Sequence, residues 1–498
     1  MKGRFLIFIW VLACNFKAMD VKVSPLLEGV QATVSEFENE RRFSGSVLVA
    51  QGNQVIFMKG IGMANHSYQI PNRPDTAFLV GSISKQFTSM IILQLVQEGK
   101  LKLSDTIGKW FPNFPAYKAD TITIHHLLSH SSGLPHYGGL VELGVDLEHY
   151  GRVNRPLEEY AKTIGNMNLL WPPGTKFRYS SQGYILLGVI AQKVAKKSFG
   201  ELIKSRIASP LNLKNTGFAF NKEIVSDLAA AYTYGILETD ESNLKMGFTN
   251  SEYRDQTNSF CTGGVHSTVE DLFVWSQSLW TDKLLGRELR EKMFSKQADP
   301  YGYGWFISNP NDWGLDEKTH ILNHGGATTG YRAQIAILDK GAFTVIVLAN
   351  TVESRSTTLA RSIARVLYHK NPIPANILGT ALAWRLVSEG SQSTKSFFEK
   401  EEGHQFKNYL NNDYAFHLYC DQFLDLGKPE MARQLVSYGL KANPDAGSLY
   451  ISLGDIAAYQ KQVLEAERYY QKAIELAKKI PEVNRNVIEN AQNKLNKL

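Results

Sequence analysis

Ser82 and Lys85 form a Ser-x-x-Lys pair, a spacing that can carry acyl-transfer chemistry. Apolar side chains recur at helical spacing from Phe87 to Leu95, and Gly99 then provides a stop, so the pair is predicted to open a helix. At that position the two side chains lie on one face, where a neutral amine can take the serine proton. The free N–H groups of a helix start also stabilise an oxyanion. The pair therefore predicts a serine nucleophile and a lysine base.

A tyrosine follows in a turn-rich segment. Tyr179 comes directly after residues 172–178, which begin Pro-Pro-Gly-Thr and favour a turn. Residues 182–195 carry apolar side chains at helical spacing and predict a buried helix. The phenol is therefore predicted at a loop tip before that helix, where it can relay protons.

A glycine-rich segment lies near the end of the first two thirds of the chain. His324, Gly325, Gly326 and Ala327 precede a run that predicts a strand over residues 332–338. The glycines permit close backbone approach of a substrate, and the imidazole can bind a carboxylate or orient a carbonyl. We expect this strand edge to bind substrate.

A second Ser-x-x-Lys match in the chain shows that this motif alone does not identify a catalytic serine. Ser242 and Lys245 lie in a polar stretch with no apolar helix behind them. Serine at a helix start is usually a cap and lysine is usually solvated, so an isolated match has little specificity. We interpret the second match as chance, and the companions of Ser82 decide its assignment.

Two histidines offer a rival interpretation as a zinc site. His126 and His130 are four residues apart, a spacing that metal ligands use on a helix. The general-base glutamate of the corresponding metalloprotease motif is absent, and such histidines more often pack or form hydrogen bonds. We expect neither a metal nor another cofactor.

Taken in order, Ser-x-x-Lys, Tyr-x-Ser and His-x-Gly resemble the motif series of serine β-lactamases and penicillin-binding proteins. Residues 123–134, 263–268 and 301–305 look like segments of the class C β-lactamase-related branch. The resemblance covers roughly residues 30 to 370 and is far more specific than any single motif. It implies a transpeptidase-like α/β sandwich.

The resemblance also implies roles for matching positions. Ser82 would be the acylated nucleophile, with Lys85 and Tyr179 as the acid/base pair. The N–H groups of Ser82 and Ala327 would form the oxyanion hole. Substrate would lie against Ser181, His324, Gly325 and Gly326.

Two departures from the pattern bear on the substrate. Ser181 stands where β-lactamases usually carry Asn, and His324 where they usually carry Lys. A histidine there is familiar from D-alanyl-D-alanine carboxypeptidases, D-aminopeptidases and esterases of the same branch. We therefore expect a serine hydrolase acting on a D-amino-acid peptide, small ester or lactam. A β-lactamase is the alternative within the enzyme class.

The elements that must position these residues predict an α+β fold. Residues 45–50 and 54–59 read as strands flanking a Gln-Gly-Asn hairpin turn. Residues 332–338 and 343–349 read as later strands, followed by a helix over residues 357–368. An antiparallel sheet completed by the late strands, flanked by helices and joined by a helical subdomain, is therefore expected over residues 25–370.

The remainder reads as an all-α tail. A Pro-rich break at residues 371–374 is followed by amphipathic helices over residues 375–498. Ala432 recurs as Ala466 one 34-residue step later, and Leu-Gly lies where tetratricopeptide repeats carry it. The tail thus resembles tetratricopeptide hairpins, with a plain helical extension as the alternative. An inactive hydrolase fold presenting these helices to a protein partner is the contrasting hypothesis for function.

The N-terminus predicts export. Lys2 and Arg4 precede an apolar run over residues 5–13, so residues 1–20 read as a signal peptide. Lipidation at Cys14 is the alternative to ordinary cleavage, giving a periplasmic, membrane-anchored or secreted protein. A net charge of +6 without a basic cluster indicates no nucleic-acid partner. Cys261 and Cys420 lie far apart and predict no disulfide framework.

Overall fold

The structure, a computed structural model, describes residues 25–40, 43–218, 223–239, 243–406, 409–410, 413–479 and 481–498. The predicted signal peptide, Cys14 and Ser242 lie outside these ranges. Within them, no helix combines the length and the hydropathy needed to span a bilayer.

The strands of the described chain are β1 (Gly45–Gln51), β2 (Gln54–Ile61), β3 (Met63–Asn65), β4 (Ile70–Pro71), β5 (Phe78–Leu79), β6 (Gly217–Phe218), β7 (Tyr232–Glu238), β8 (Leu244–Asn250), β9 (Val265–Ser267), β10 (Phe306–Ser308), β11 (Ile321–Thr328), β12 (Tyr331–Leu338) and β13 (Phe343–Ala349). Six of them form one antiparallel sheet, in the order β10-β11-β12-β13-β1-β2. Because β1 pairs with β13, the prediction that late strands complete the sheet is confirmed.

Helices cover both faces of this sheet and continue beyond it. They are α1 (Pro25–Asn39), α2 (Ser84–Gln97), α3 (Ala116–Ala119), α4 (Ile124–Leu128), α5 (Gly138–Glu142), α6 (Leu147–Arg152), α7 (Leu157–Asn166), α8 (Ser181–Ala195), α9 (Phe199–Ile203), α10 (Ser209–Leu211), α11 (Phe260–Gly263), α12 (Val269–Ser278), α13 (Arg287–Met293), α14 (Ser356–Leu367), α15 (Leu378–Ser388), α16 (Ser391–Gly403), α17 (Asp413–Asp425), α18 (Pro429–Ala442), α19 (Gly447–Tyr459), α20 (Val463–Ala477) and α21 (Pro481–Leu495). The α+β class predicted from the sequence is confirmed.

Each face of the sheet packs into its own apolar core. In β1, Leu48 and Ala50 belong to the larger core, which contains α2 and α8, whereas Val47 and Val49 face a smaller core beneath α1 and α14. Successive side chains of a strand point to opposite faces, so burial on both sides requires nearly continuous apolar runs. The sequence Phe-Thr-Val-Ile-Val-Leu-Ala of β13 meets that requirement.

Two buried helices support the predicted site. The helix predicted over residues 182–195 is α8, which is buried from Ser181 to Ala191. The helix predicted to begin at Ser82 begins at Ser84, because residues 81–83 form a 3₁₀ turn first. Gly99, with φ +70°, follows the end of α2 as predicted.

The C-terminal part of the described chain is helical from α15 onward, as predicted. Helix α19 packs on α20, and a Cβ at Gly454 would lie 2.3 Å from the Tyr470 ring, so this glycine allows the two helices to approach. Ala432 and Ala466, the positions related by the repeat, are both fully buried. The tetratricopeptide likeness itself stays a prediction.

Candidate active site

Ser82 lies in the 3₁₀ turn that precedes α2, against strand β11. Gly81 has φ +53°, and a Cβ there would lie 2.5 Å from the Ala327 nitrogen. A Cβ at Gly326 would lie 1.9 Å from the Val80 carbonyl oxygen. Since only glycine allows such contact between backbones, these two glycines bring Ser82 and Ala327 together. Both residues line one cavity.

Lys85 sits one helical turn beyond Ser82 and is completely buried. Its Nζ donates to Ser82 Oγ at 3.1 Å and to the Thr262 carbonyl at 3.0 Å. Burial lowers the pKa of Lys85 to about 7, an effect that the neighbouring Cys261 thiol partly opposes. A large fraction of the amine is therefore neutral at neutral pH and can accept the serine proton.

Tyr179 places its phenol beside this pair. The Lys85 Nζ lies 4.9 Å from the Tyr179 ring centroid. Burial raises the pKa of Tyr179, and the nearby Ser82 hydroxyl opposes that shift. Among the described residues the phenol oxygen has no hydrogen bond of standard geometry. The phenol is thus protonated at neutral pH and carries a proton that it can donate.

His130 supports Tyr179, a role the sequence did not indicate. The two rings lie 4.4 Å apart, and His130 Nδ1 accepts the Ser180 N–H at 3.1 Å. Burial, with the nearby Lys85 charge, lowers the pKa of His130 well below its ordinary value. His126 faces a different partner, since its Nδ1 accepts the Thr123 N–H. The two histidines therefore serve separate structural hydrogen bonds.

The glycine-rich segment precedes the strand predicted over residues 332–338, which is β12, and it also lies inside a further strand that was not predicted. His324, Gly325, Gly326 and Ala327 all belong to β11, which pairs with β12 across a short turn containing Gly330 at φ +76°. This further strand was not predicted because His-Gly-Gly-Ala has little intrinsic strand preference. Pairing with β12 overrides that preference.

His324 differs from its expected role. Its Nδ1–H donates to the Gly325 carbonyl at 2.6 Å, so its Nε2 accepts from the Tyr301 hydroxyl at 2.9 Å. Burial lowers the pKa of His324 to about 3. A buried, neutral imidazole that faces Tyr301 does not offer a cation to a substrate carboxylate. In this structure His324 positions β11.

The cavity beside Ser82 has a volume of about 440 Å³. Ser181, at the start of α8, lines it together with Ser82 and Ala327. No sequence pattern indicated the rest of the cavity wall, which includes Tyr137, Tyr150, Tyr160, Arg254, Asn258 and Arg332. These residues come from segments without a recognised motif. Only the proximity of Tyr137 to the class C-like stretch at residues 123–134 could have indicated one of them.

Comparison with known proteins decides the family. The model of the family described as Beta-lactamase matches residues 30–368, more than half of the chain. This chain belongs to the beta-lactamase family. The family includes serine hydrolases of the penicillin-binding-protein kind, so hydrolase chemistry is supported for this member at the level of the family.

Curated relatives of this beta-lactamase family member include penicillin-binding proteins. The chain is 28% identical over 353 residues to Penicillin-binding protein 4* of Bacillus subtilis, covering 68% of this chain and 75% of that protein. It is 28% identical over 321 residues to Protein flp of Staphylococcus aureus strain MW2, covering 61% and 59%. The match therefore spans less than two thirds of Protein flp.

Solved structures of the family share the fold. A penicillin-binding protein homologue from Pyrococcus abyssi, described as octameric, is 28% identical with a TM-score of 0.58, covering 70% of this chain and 78% of that one. D-amino acid amidase from Ochrobactrum anthropi SV3 has a TM-score of 0.58 at 19% identity, covering 70% and 99%. At that identity the likeness establishes the fold alone.

Proposed function

We propose that this chain is a serine hydrolase that acts through an acyl-enzyme on Ser82. The observation that carries the proposal is a buried Lys85 amine, with a pKa lowered to about 7, at 3.1 Å from Ser82 Oγ. That amine is the base that a serine hydroxyl needs in order to attack a carbonyl at neutral pH.

This geometry supports an acylation step of the following kind. Ser82 Oγ attacks the substrate carbonyl carbon while its proton passes to Lys85 Nζ. The N–H groups of Ser82 and Ala327 stabilise the resulting oxyanion. Both residues line the cavity, at the point where the backbone of the Ser82 turn lies against β11. Collapse of the tetrahedral intermediate breaks the bond to the leaving group, to which Tyr179 gives its phenolic proton. Lys85 then returns a proton to Tyr179.

Deacylation reverses the proton path. Water attacks the Ser82 ester and loses a proton to the Lys85 and Tyr179 pair. The second tetrahedral intermediate collapses with return of a proton to Ser82 Oγ, which releases the acid and restores the enzyme. Each turnover therefore consumes one water and leaves the protein unchanged.

The substrate that we propose is a D-amino-acid peptide, small ester or lactam, with peptide or ester preferred over lactam. Ser181 at the cavity wall, where β-lactamases usually carry Asn, supports that preference. A cavity of about 440 Å³ lies within the range of small-molecule sites. The alternative activity, β-lactam hydrolysis, becomes the stronger assignment if the kcat/KM for a cephalosporin exceeds that for every peptide and ester tested.

A fluorophosphonate probe tests the nucleophile. Wild-type protein, Ser82→Ala and Ser242→Ala are each incubated with the probe, and the modified residue is mapped by mass spectrometry. We expect labelling to disappear only in Ser82→Ala. Equal labelling of all three proteins would contradict the assignment, and no labelling of any would favour the non-catalytic scaffold.

A further inference from the structure

A second cavity of about 210 Å³ adjoins the cavity beside Ser82. Arg332 and Val352 line both cavities, so these two side chains form the partition between them. Arg332 is the direct cross-strand partner of Ala327 in the β11–β12 register. The second cavity therefore begins one strand away from the predicted oxyanion hole.

The far wall of this second cavity comes from the C-terminal helices. Thr380 of α15 and Tyr414 and Leu418 of α17 line it, opposite Arg332 and Thr357 of the hydrolase region. The charge of Arg332 is also in electrostatic range of the Tyr414 phenol. The tail thus reaches the neighbourhood of the active site.

The tail is packed firmly enough to hold that wall in place. The Ile236 N–H of β7 donates to Gln422 Oε1 of α17 at 2.9 Å. Ile236 is itself part of the apolar core of the tail, against which Leu244 and Met246 of β8 also pack. An apolar core shared between two regions favours one fixed arrangement over a mobile appendage.

We infer that the C-terminal helices complete the substrate-binding cleft, and that the second cavity holds the part of the substrate remote from the carbonyl attacked by Ser82. This inference rests on the proposed function. The ligand is an extended peptide. Its backbone oxygens accept hydrogen bonds from the Arg332 guanidinium, whose Nη1 also donates to the Thr328 and Tyr331 carbonyls. Its side chains meet a wall of apolar and hydroxyl groups that also includes the charged Glu353 and Arg355. A single-residue ester occupies the first cavity only.

Penta-D-alanine and p-nitrophenyl acetate distinguish the two cavities. The peptide extends to both sides of an internal bond, whereas the acetate ester is confined to the vicinity of Ser82. We expect wild-type protein to bind the pentapeptide, measured as peptide hydrolysis or as competition against ester hydrolysis. Absence of both would overturn the inference.

Leu418→Trp fills the second cavity from the tail side. We expect it to raise the KM for the pentapeptide, or its inhibition constant, by about tenfold, while kcat/KM for the ester changes by less than about twofold. The matched control is Leu464→Trp, because Leu464 is 73% exposed on α20 and does not line the cavity. Equal effects of the two tryptophans, or equal effects on both substrates, would overturn the inference.

Two further measurements separate this inference from the proposed function. Tyr414→Ala removes wall from the same cavity at an exposed position and is expected to weaken peptide binding without loss of folding. Fluorophosphonate labelling of Ser82 is recorded in every variant. If Ser82 is still labelled but the variants bind the pentapeptide as wild type does, only the role of the tail is refuted. If wild-type protein shows no labelling at Ser82, the hydrolase assignment itself is refuted.

Discussion

Burial sets the proton affinity of Lys85. Desolvation by burial is the main cause of its lowered pKa, and the neighbouring Cys261 thiol opposes it. Its hydrogen bonds to Ser82 Oγ and the Thr262 carbonyl fix the direction of Nζ without supplying a charge. The sequence predicted the pair from spacing, but the proton affinity depends on residues from α8 and α11 that no local pattern connects to it.

The acylation rate is expected to rise with pH and level off above about 7. A folded-state pKa lowered to about 7 means that Lys85 is protonated, and unable to accept the Ser82 proton, below that value. The pH profile of kcat/KM for p-nitrophenyl acetate measures this directly. A kcat/KM profile that stays flat from about pH 5 to about pH 9, roughly two units on either side of the Lys85 pKa, would contradict a lysine base.

Tyr179→Phe is expected to impair amides more than activated esters. The phenol is held protonated by its raised pKa and donates to the leaving group, so its loss lowers amide turnover by about 10²–10⁴-fold. Acylation by p-nitrophenyl acetate, measured as the initial burst of p-nitrophenolate, serves as the internal control, because p-nitrophenolate leaves without a proton. The ratio of the amide and ester acylation rates would stay at the wild-type value if Tyr179 had only a packing role.

At the scale of elements, strands and helices with long apolar runs were predictable from the sequence, whereas the glycine-rich strand was not. The strands over residues 343–349 and the helix α8 follow from hydrophobic patterns that also decide their burial. Strand β11 contains His-Gly-Gly-Ala and forms because it pairs with β12 and packs against the Ser82 turn. Helices α5–α7 supply the tyrosine wall of the cavity, which depends on tertiary packing rather than on any motif.

Gly326→Ala is expected to separate β11 from the Ser82 turn. Its Cβ would lie 1.9 Å from the Val80 carbonyl oxygen, so the strand must move away and carry Ala327 with it. Loss of an oxyanion-hole donor lowers kcat by about 10²–10³-fold. Gly138→Ala is the matched control, since its Cβ would meet no atom within 4 Å. Equal kcat values for the two variants would exclude this role for the close approach.

At the scale of the whole molecule, two regions that the sequence separates share one core. The Pro-rich break at residues 371–374 predicted a boundary, and the described chain does become all-helical after it. The packing of Ile236 into the tail could not be predicted, because the β7–β8 hairpin carries no signal for the partner it meets. The tail and the hydrolase region are therefore coupled through contacts that distant stretches of sequence supply.

Gln422→Ala is expected to weaken that coupling. It leaves the Ile236 N–H without its acceptor, a loss of about 1–3 kcal/mol in the free energy of unfolding. Urea denaturation measures the loss, and limited proteolysis reports whether the tail is released first. Gln392→Ala on α16 provides a comparison within the tail, and equal destabilisation by both variants would argue against a specific role for Gln422.

The pairing of β1 with β13 also fixes the order in which the site is made. Ser82 and Lys85 leave the ribosome early, but Ala327 and the strands that hold it are synthesised more than two hundred residues later. Contacts between residues so distant along the chain form slowly, and they form after the local contacts. A nascent chain thus carries the proposed nucleophile without the proposed oxyanion hole, and we expect no hydrolytic activity until almost the whole hydrolase region has been synthesised.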